Sequence, residues 1–227
     1  VGQGDGILIR SPDGRNIVID GGSTSQSKCG TYTLLPALRS QGMTEIDCWF
    51  VTHTDEDHIS GLKELLLQGK LTQIKVRTVV FSAYVFQDAA LAELEAVIRA
   101  AGITIVWMRE GDVIGDDTFT LTCLHPTAEY RAKDKNAASL ALAYHSDTFD
   151  MLFTGDMDAD AVAAGVEKAH EEISILQYND ENSLSCTIQL AFYFAREYYT
   201  MVRELPAGKG FADVCMIPRP CHLDKPA

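Results

Sequence analysis

A layered α/β (α+β) fold follows from three features of this 227-residue chain. Short apolar runs rich in β-branched residues recur along it, segments of helical periodicity fall between them, and 46% of its residues are hydrophobic. That content suffices for the core of one sizeable domain or two small ones. GDGILIR and NIVID read as two strands of a hairpin turned at Pro12-Asp13-Gly14. A short helix is expected from Thr33 to Ser40, and Ile46 to Thr52 (IDCWFVT) is a continuous apolar run of the buried-strand kind. Ile59 to Leu67 reads as a helix with Leu62, Leu65 and Leu66 on one stripe. TVVFSAY is a further strand, and Asp88 to Ala101 a clearer helix stopped at Gly102. ITIVWM, TFTLTCLHP, SLALAYH and DMLFTGD supply four more strands before a helix from Ala159 to Glu172. Near Tyr178 the composition changes, and an aromatic, helix-like TIQLAFYFAREYYTMV leads to a strand FADVCMI. A boundary there divides residues 1–175 from 176–227.

Composition excludes several roles. Nineteen Lys and Arg against 32 Asp and Glu leave a formal charge of −13, which argues against an extended basic surface gripping phosphates. Any nucleic acid must be held locally. No apolar run approaches the roughly 20 residues that span a bilayer, and the opening residues lack the pattern of a signal peptide. The chain is expected to be soluble and bacterial-cytoplasmic, unless it is part of a larger membrane protein; without an initiator Met, its true beginning is expected upstream. Six scattered cysteines form no C-x-x-C pair. They read as reduced, buried thiols, with a disulfide framework as the alternative.

The segment His53-Thr54-Asp55-Glu56-Asp57-His58 concentrates metal-ligand side chains between a buried strand and a helix. His53 and Asp55, two residues apart, can face one ion; Asp57 and His58 would more naturally serve a second. Zn²⁺ accepts such nitrogen and oxygen donors, and Mn²⁺ tolerates more carboxylate. A polar loop capping the helix is the ordinary alternative, since Asp55 and Asp57 are common N-cap residues. Two His flanking two Asp are more than a cap needs.

H-x-D-x-D-H, preceded by IDCWFVT and by V-I-D-G-G at Val18 to Gly22, resembles the metallo-β-lactamase superfamily, in particular its ComEC-type competence-protein branch. The VGQGDGILIR start is similar to theirs as well. The resemblance covers about Val1 to Ala169 and implies an αββα sandwich, incomplete here because one strand normally precedes VGQGDGILIR. It implies metal binding by His53, Asp55, Asp57 and His58, with Asp57 orienting the attacking hydroxide. Asp20 would support the site from behind, and Asp156 of Thr154-Gly155-Asp156 would bridge two ions; read alone, Asp156 is equally an N-cap. His125 is a possible third ligand or a turn residue. Asn136 and Ser139 resemble an Asn-x-x-Ser pattern near the substrate pocket of that branch. His145, His170 and His222 read as surface residues.

The family places a further His, usually in a His-His-Gly-Ser phrase, after the TGD strand and its helix; here no His lies between His170 and His222. The resemblance therefore leaves two readings. In one, a hydrolase of phosphodiesters, with single-stranded DNA as the branch's substrate, uses one or two Zn²⁺ or Mn²⁺ ions that lower the pKa of water from about 15.7 toward 7. In the other, the chain is an impaired remnant or interaction module. The tail from Tyr178 to Ala227 resembles the first part of a PD-(D/E)XK nuclease domain of AAA-ATPase-like proteins, with Asp213 as its first acid, but a lone Asp cannot position Mg²⁺ and a water.

Overall fold

The computed structural model describes residues 1–147, 149–157, 199–207 and 210–218. The chain falls into two compact units, Val1–Met157 and Asp158–Ala227. The expected boundary near residue 175 and the expected helix from Ala159 to Glu172 lie outside the described residues.

In the first unit, β1 (Gly6–Arg10) and β2 (Asn16–Asp20) form the expected antiparallel hairpin. A π-helical turn (Gly30–Leu34) runs into α1 (Leu35–Ser40), and β3 (Glu45–Phe50) leads to α2 (Glu56–Gln68). After these come β4 (Lys75–Ser82), α3 (Ala89–Ala100) and β5 (Thr104–Met108). The five strands make one sheet in sequence order, parallel from β2 to β5. Then β6 (Val113–Gly115), β7 (Phe119–His125), β8 (Ala141–Ser146) and β9 (Phe149–Phe153) form an antiparallel sheet, also in sequence order.

The alternation of side chains along each strand explains the layering. Val18, Trp49, Val51, Val79 and Phe81 face one way and pack against Leu34, Leu38, Leu62, Leu65, Leu94 and Ile98 of the helices. Their neighbours Ile17, Ile19, Phe50 and Val80 face the other way and pack against Phe119, Leu121, Leu142 and Phe153 of the second sheet. The central strands are therefore buried on both faces, which is why IDCWFVT reads as a continuous apolar run rather than an alternating one. Asp88 caps α3 by accepting a hydrogen bond from the Leu91 N–H (2.8 Å). No helix among the described residues is long and apolar enough to cross a membrane.

Three expectations shift. Helix α2 starts at Glu56 rather than Ile59, because its first turn is polar and carries no hydrophobic stripe. The three-residue β6 is too short to leave a periodicity in the sequence. In the second unit, β10 (Tyr199–Ala207) pairs antiparallel with β11 (Gly210–Pro218). Tyr199 to Val202 are therefore strand, correcting the helix expected through them; aromatic and β-branched residues there favour an extended backbone. Asp213 lies on β11, as expected of the strand FADVCMI. Cys29, Cys48 and Cys123 are free thiols, and burial pushes Cys123 up to about 12, leaving it unreactive.

Gly61 shows how tightly α2 is seated. A Cβ there would lie 2.2 Å from the Gly21 carbonyl oxygen and 2.4 Å from Leu34 Cδ1. Gly to Ala inside a helix ordinarily stabilises by roughly 1 kcal/mol. Gly61→Ala should do the opposite, lowering the denaturant midpoint, because the displaced atoms are backbone beside Asp20. An unchanged or raised midpoint would show that α2 can slide off the Gly21 turn.

Candidate metal centre

The site lies where the parallel strands of the first sheet end, the usual position for a ligand crevice in α/β sheets. β2 ends at Asp20, whose φ of 55° is in the left-handed region that Asp tolerates better than most residues. β3 runs out through Thr52 to His53, and α2 begins just beyond. On the second sheet, β9 is followed by Thr154-Gly155-Asp156, and a backbone bond from Leu140 N–H to the Thr52 carbonyl (2.8 Å) brings Ser139 alongside His53.

Asp20, 2% exposed, organises both imidazoles. Its Oδ1 accepts from the Thr52 N–H (2.8 Å), and its Oδ2 accepts from Thr52 Oγ1 (2.7 Å) and from His58 Nδ1 (2.9 Å). Because Thr52 Oγ1 has one proton and gives it to Asp20, it can only accept from His53 Nδ1, 3.2 Å away; Ser139 Oγ lies 3.3 Å from the same nitrogen. This network assigns the Nδ1–H tautomer to His53 and turns its Nε2 lone pair forward. His53 Nε2 is buried and has no hydrogen-bond partner. It faces Asp55 Oδ2 at 3.6 Å and Asp156 Oδ2 at 4.0 Å, and His58 Nε2 lies 3.4 Å from the same Asp156 oxygen. His53, His58 and Asp156 can thus each offer an atom within 4.8 Å of the others. Two imidazole nitrogens and a carboxylate, backed by a carboxylate that orients one of them, suit a divalent cation of the Zn²⁺ or Mn²⁺ type.

Asp55 begins α2 without capping it, since its side chain accepts no N–H from the first turn. Instead Oδ1 meets Lys135 Nζ at 2.9 Å, and the same ammonium lies 2.8 Å from Asp88 Oδ2. Asp57 stands in the first turn of α2, half-buried. Asp57 and His125 belong to neither of the two ligand groups among the described residues. His125 is buried, donates from Nε2 to the Ala137 carbonyl (2.9 Å) and packs edge-on against Tyr130. Asn136 lies one turn before Ser139, whose N–H bonds its carbonyl (3.0 Å). His145 is exposed, as expected.

The sequence reading missed two residues. Lys135 gave no signal because a Lys in a polar loop is ordinary. Asp5, in a second group with Asp20 and His58, sits between two glycines, a pattern that hints only at a backbone needing room.

Without a cation, burial favours neutral His58, but its hydrogen bonds to Asp156 and Asp20 outweigh this and push it up to about 10. Asp156 is held low by the same hydrogen bond, despite burial. A histidine raised above its ordinary 6.5 stabilises the fold fully below pH 6.5 and loses that contribution as pH climbs through about 10. With chelator present, the melting temperature should fall across this window, and Asp156→Asn should flatten the fall. A profile equally steep in the variant would refute the pairing.

Residues 1–128 match the metallo-beta-lactamase superfamily. The chain is 30% identical over 171 residues to ComE operon protein 3 of Bacillus subtilis, an alignment covering 70% of this chain and 21% of that protein. It thus spans about a fifth of this much longer relative. Among solved structures it is similar to the metallo-beta-lactamase fold protein YhfI from Bacillus subtilis, with 16% identity, TM-score 0.43 and coverage of 67% of this chain and 54% of that one. It is also similar to Zn²⁺-bound PqqB from Methylobacterium extorquens, with 12% identity, TM-score 0.41 and coverage of 66% and 52%. From the match over more than half its length, the chain belongs to the metallo-beta-lactamase superfamily.

Proposed function

We propose that this chain is a metal-dependent hydrolase of phosphodiesters, with single-stranded DNA as its polymeric substrate. The observation that carries the reading is the convergence of His53 Nε2, His58 Nε2 and Asp156 Oδ2, with His53 Nε2 buried and otherwise unpartnered. A buried nitrogen lone pair without a donor costs on the order of 1–3 kcal/mol, which a ligand to that nitrogen removes.

His53, His58 and Asp156 would hold the ion, with Asp55 next to His53. Bound there, Zn²⁺ or Mn²⁺ supplies Lewis acidity that lowers the pKa of water and neutralises charge on a scissile phosphate. Asp20 keeps His58 Nδ1 protonated and its Nε2 directed into the cleft. Thr52 and Ser139 do the same for His53. Asp57, at the mouth of α2, would accept the proton of the attacking water and orient it. Lys135, between Asp55 and Asp88, offers positive charge beside the ion to a chain whose net charge is −13. The resemblance to competence proteins supports a nucleic-acid substrate rather than a β-lactam.

A second reading, an impaired remnant or interaction module, is favoured by one fact: no His lies between His170 and His222. The two part in one experiment. The hydrolase retains divalent metal through gel filtration and cleaves bis(p-nitrophenyl) phosphate and single-stranded DNA with added Mn²⁺ or Zn²⁺. Asp20→Asn should lower metal affinity or kcat/KM by about 10–100-fold, the usual cost of losing an orienting partner behind a ligand, and His58→Ala by more. Wild type and His58→Ala behaving alike in both assays would establish the remnant. Cleavage lost in Asp213→Ala but kept in His58→Ala would move the activity to the tail.

A further inference from the structure

The opening loop of the chain is built into this centre. Asp5 N–H donates to the Asp57 carbonyl (3.2 Å), and Gly22 N–H donates to the Asp5 carbonyl (3.1 Å). The segment before β1 is thereby tied both to the first turn of α2 and to the turn after Asp20. The fit leaves no space for side chains. A Cβ on Gly4, whose φ is +141°, would lie 2.5 Å from the Asp57 carbonyl oxygen, and one on Gly22 would lie 2.4 Å from the Asp57 carbonyl carbon. These contacts hold the Asp5 backbone against the turns that carry Asp20 and His58.

Asp5, Asp20 and His58 each bring a ligand atom within 4.8 Å of the other two. Asp20 has little left to offer, since its two oxygens already accept three hydrogen bonds. Asp5 is exposed and lies beside His58, which Asp20 and Asp156 already share. Asp5, Asp20 and Asp156 thus all gather about the one imidazole of His58. Carboxylates crowded in this way repel one another unless a cation lies among them.

We propose that Asp5 is a further carboxylate ligand of the cation centre, reaching it from the loop before β1. The inference rests on the reading of His53, His58 and Asp156 as ligands and extends their set toward oxygen. Two imidazoles with several carboxylates suit a harder ion, so Asp5 biases the centre toward Mn²⁺ over Zn²⁺.

The test is a calorimetric titration of the metal-free full chain with Mn²⁺ and with Zn²⁺, beside the electron paramagnetic resonance spectrum of bound Mn²⁺. It compares wild type, Asp5→Asn, His58→Ala and, as a surface control, Asp117→Asn. Asp5→Asn should weaken Mn²⁺ by about tenfold or more, the scale of losing one supporting group, weaken Zn²⁺ less and change the Mn²⁺ spectrum. Asp117→Asn should match wild type. The metal-free Asp5→Asn protein should melt no lower than wild type, because the substitution keeps the backbone bonds and removes a repelling charge. Unchanged Mn²⁺ affinity and spectrum, with or without a lower melting temperature, would overturn the assignment of Asp5 while leaving the centre intact. No binding by wild type, equal to that of His58→Ala, would overturn the centre itself.

Discussion

One buried carboxylate sets the geometry of the site. Asp20 accepts from the Thr52 amide, the Thr52 hydroxyl and His58 Nδ1, so a single side chain orients one imidazole directly and the other through a hydroxyl. The two rings stand 4.0 Å apart at their centroids, a distance at which two protonated imidazoles would repel strongly. Burial and the neighbouring His58 hold His53 below its ordinary pKa, whereas His58 is raised by its carboxylates. The pair is therefore split: His58 carries the proton when no cation is present, and His53 stays neutral with a buried, unpartnered lone pair. A cation would displace the proton of His58, which couples metal affinity to pH.

The fold supplies this arrangement because two independent sheets converge on it. Asp20 and His53 end adjacent parallel strands, so their spacing follows from the pairing of β2 with β3, with Ile19 opposite Phe50. Asp156 and Ser139 arrive from the antiparallel sheet, held by packing of Phe119, Leu121 and Leu142 against Ile17, Ile19 and Phe50. A shift between the layers would separate Asp156 from the two histidines without breaking any bond within either sheet. The inter-sheet core is thus a condition for the site as well as for stability, and close packing lets it hold the small tolerance a metal centre demands.

How much of this was legible in the sequence depends on range. The strands other than β6 and β10, the hairpin at Pro12-Asp13-Gly14 and the helices α2 and α3 each carry their pattern within a dozen residues, and they were readable. So was the cluster from His53 to His58, since four candidate ligands (His53, Asp55, Asp57 and His58) in six residues is a local signal. Asp156 and Asp20 were readable only by their order relative to that cluster. Asp5 was not, because its neighbours in space, His58 and Asp57, lie more than fifty positions along the chain and its own context is only two glycines. Lys135 was hidden for the same reason: its partners Asp55 and Asp88 are contributed by two different helix starts. The strand at Tyr199 misled because an aromatic run can serve either a helix face or an extended ribbon, and periodicity over so short a span does not separate them.

The acidity of the chain bears on the proposed phosphodiester substrate in a way that follows from distance. Exposed charges are largely screened beyond the Debye length, about 8 Å at physiological ionic strength, so most of the −13 is felt weakly by a strand lying in the cleft. What remains is local: Asp5, Asp20, Asp55, Asp57 and Asp156 against His58 and Lys135. That balance is negative, and a bare phosphate would be repelled at the place where it must react. A divalent cation reverses the sign locally and leaves the rest of the surface acidic. On the proposed function, strand binding would then depend on an occupied centre rather than on the surface around it. On the proposed function, the groups that would recruit the cation are the same ones that would exclude the substrate in its absence, so binding and chemistry would be gated together.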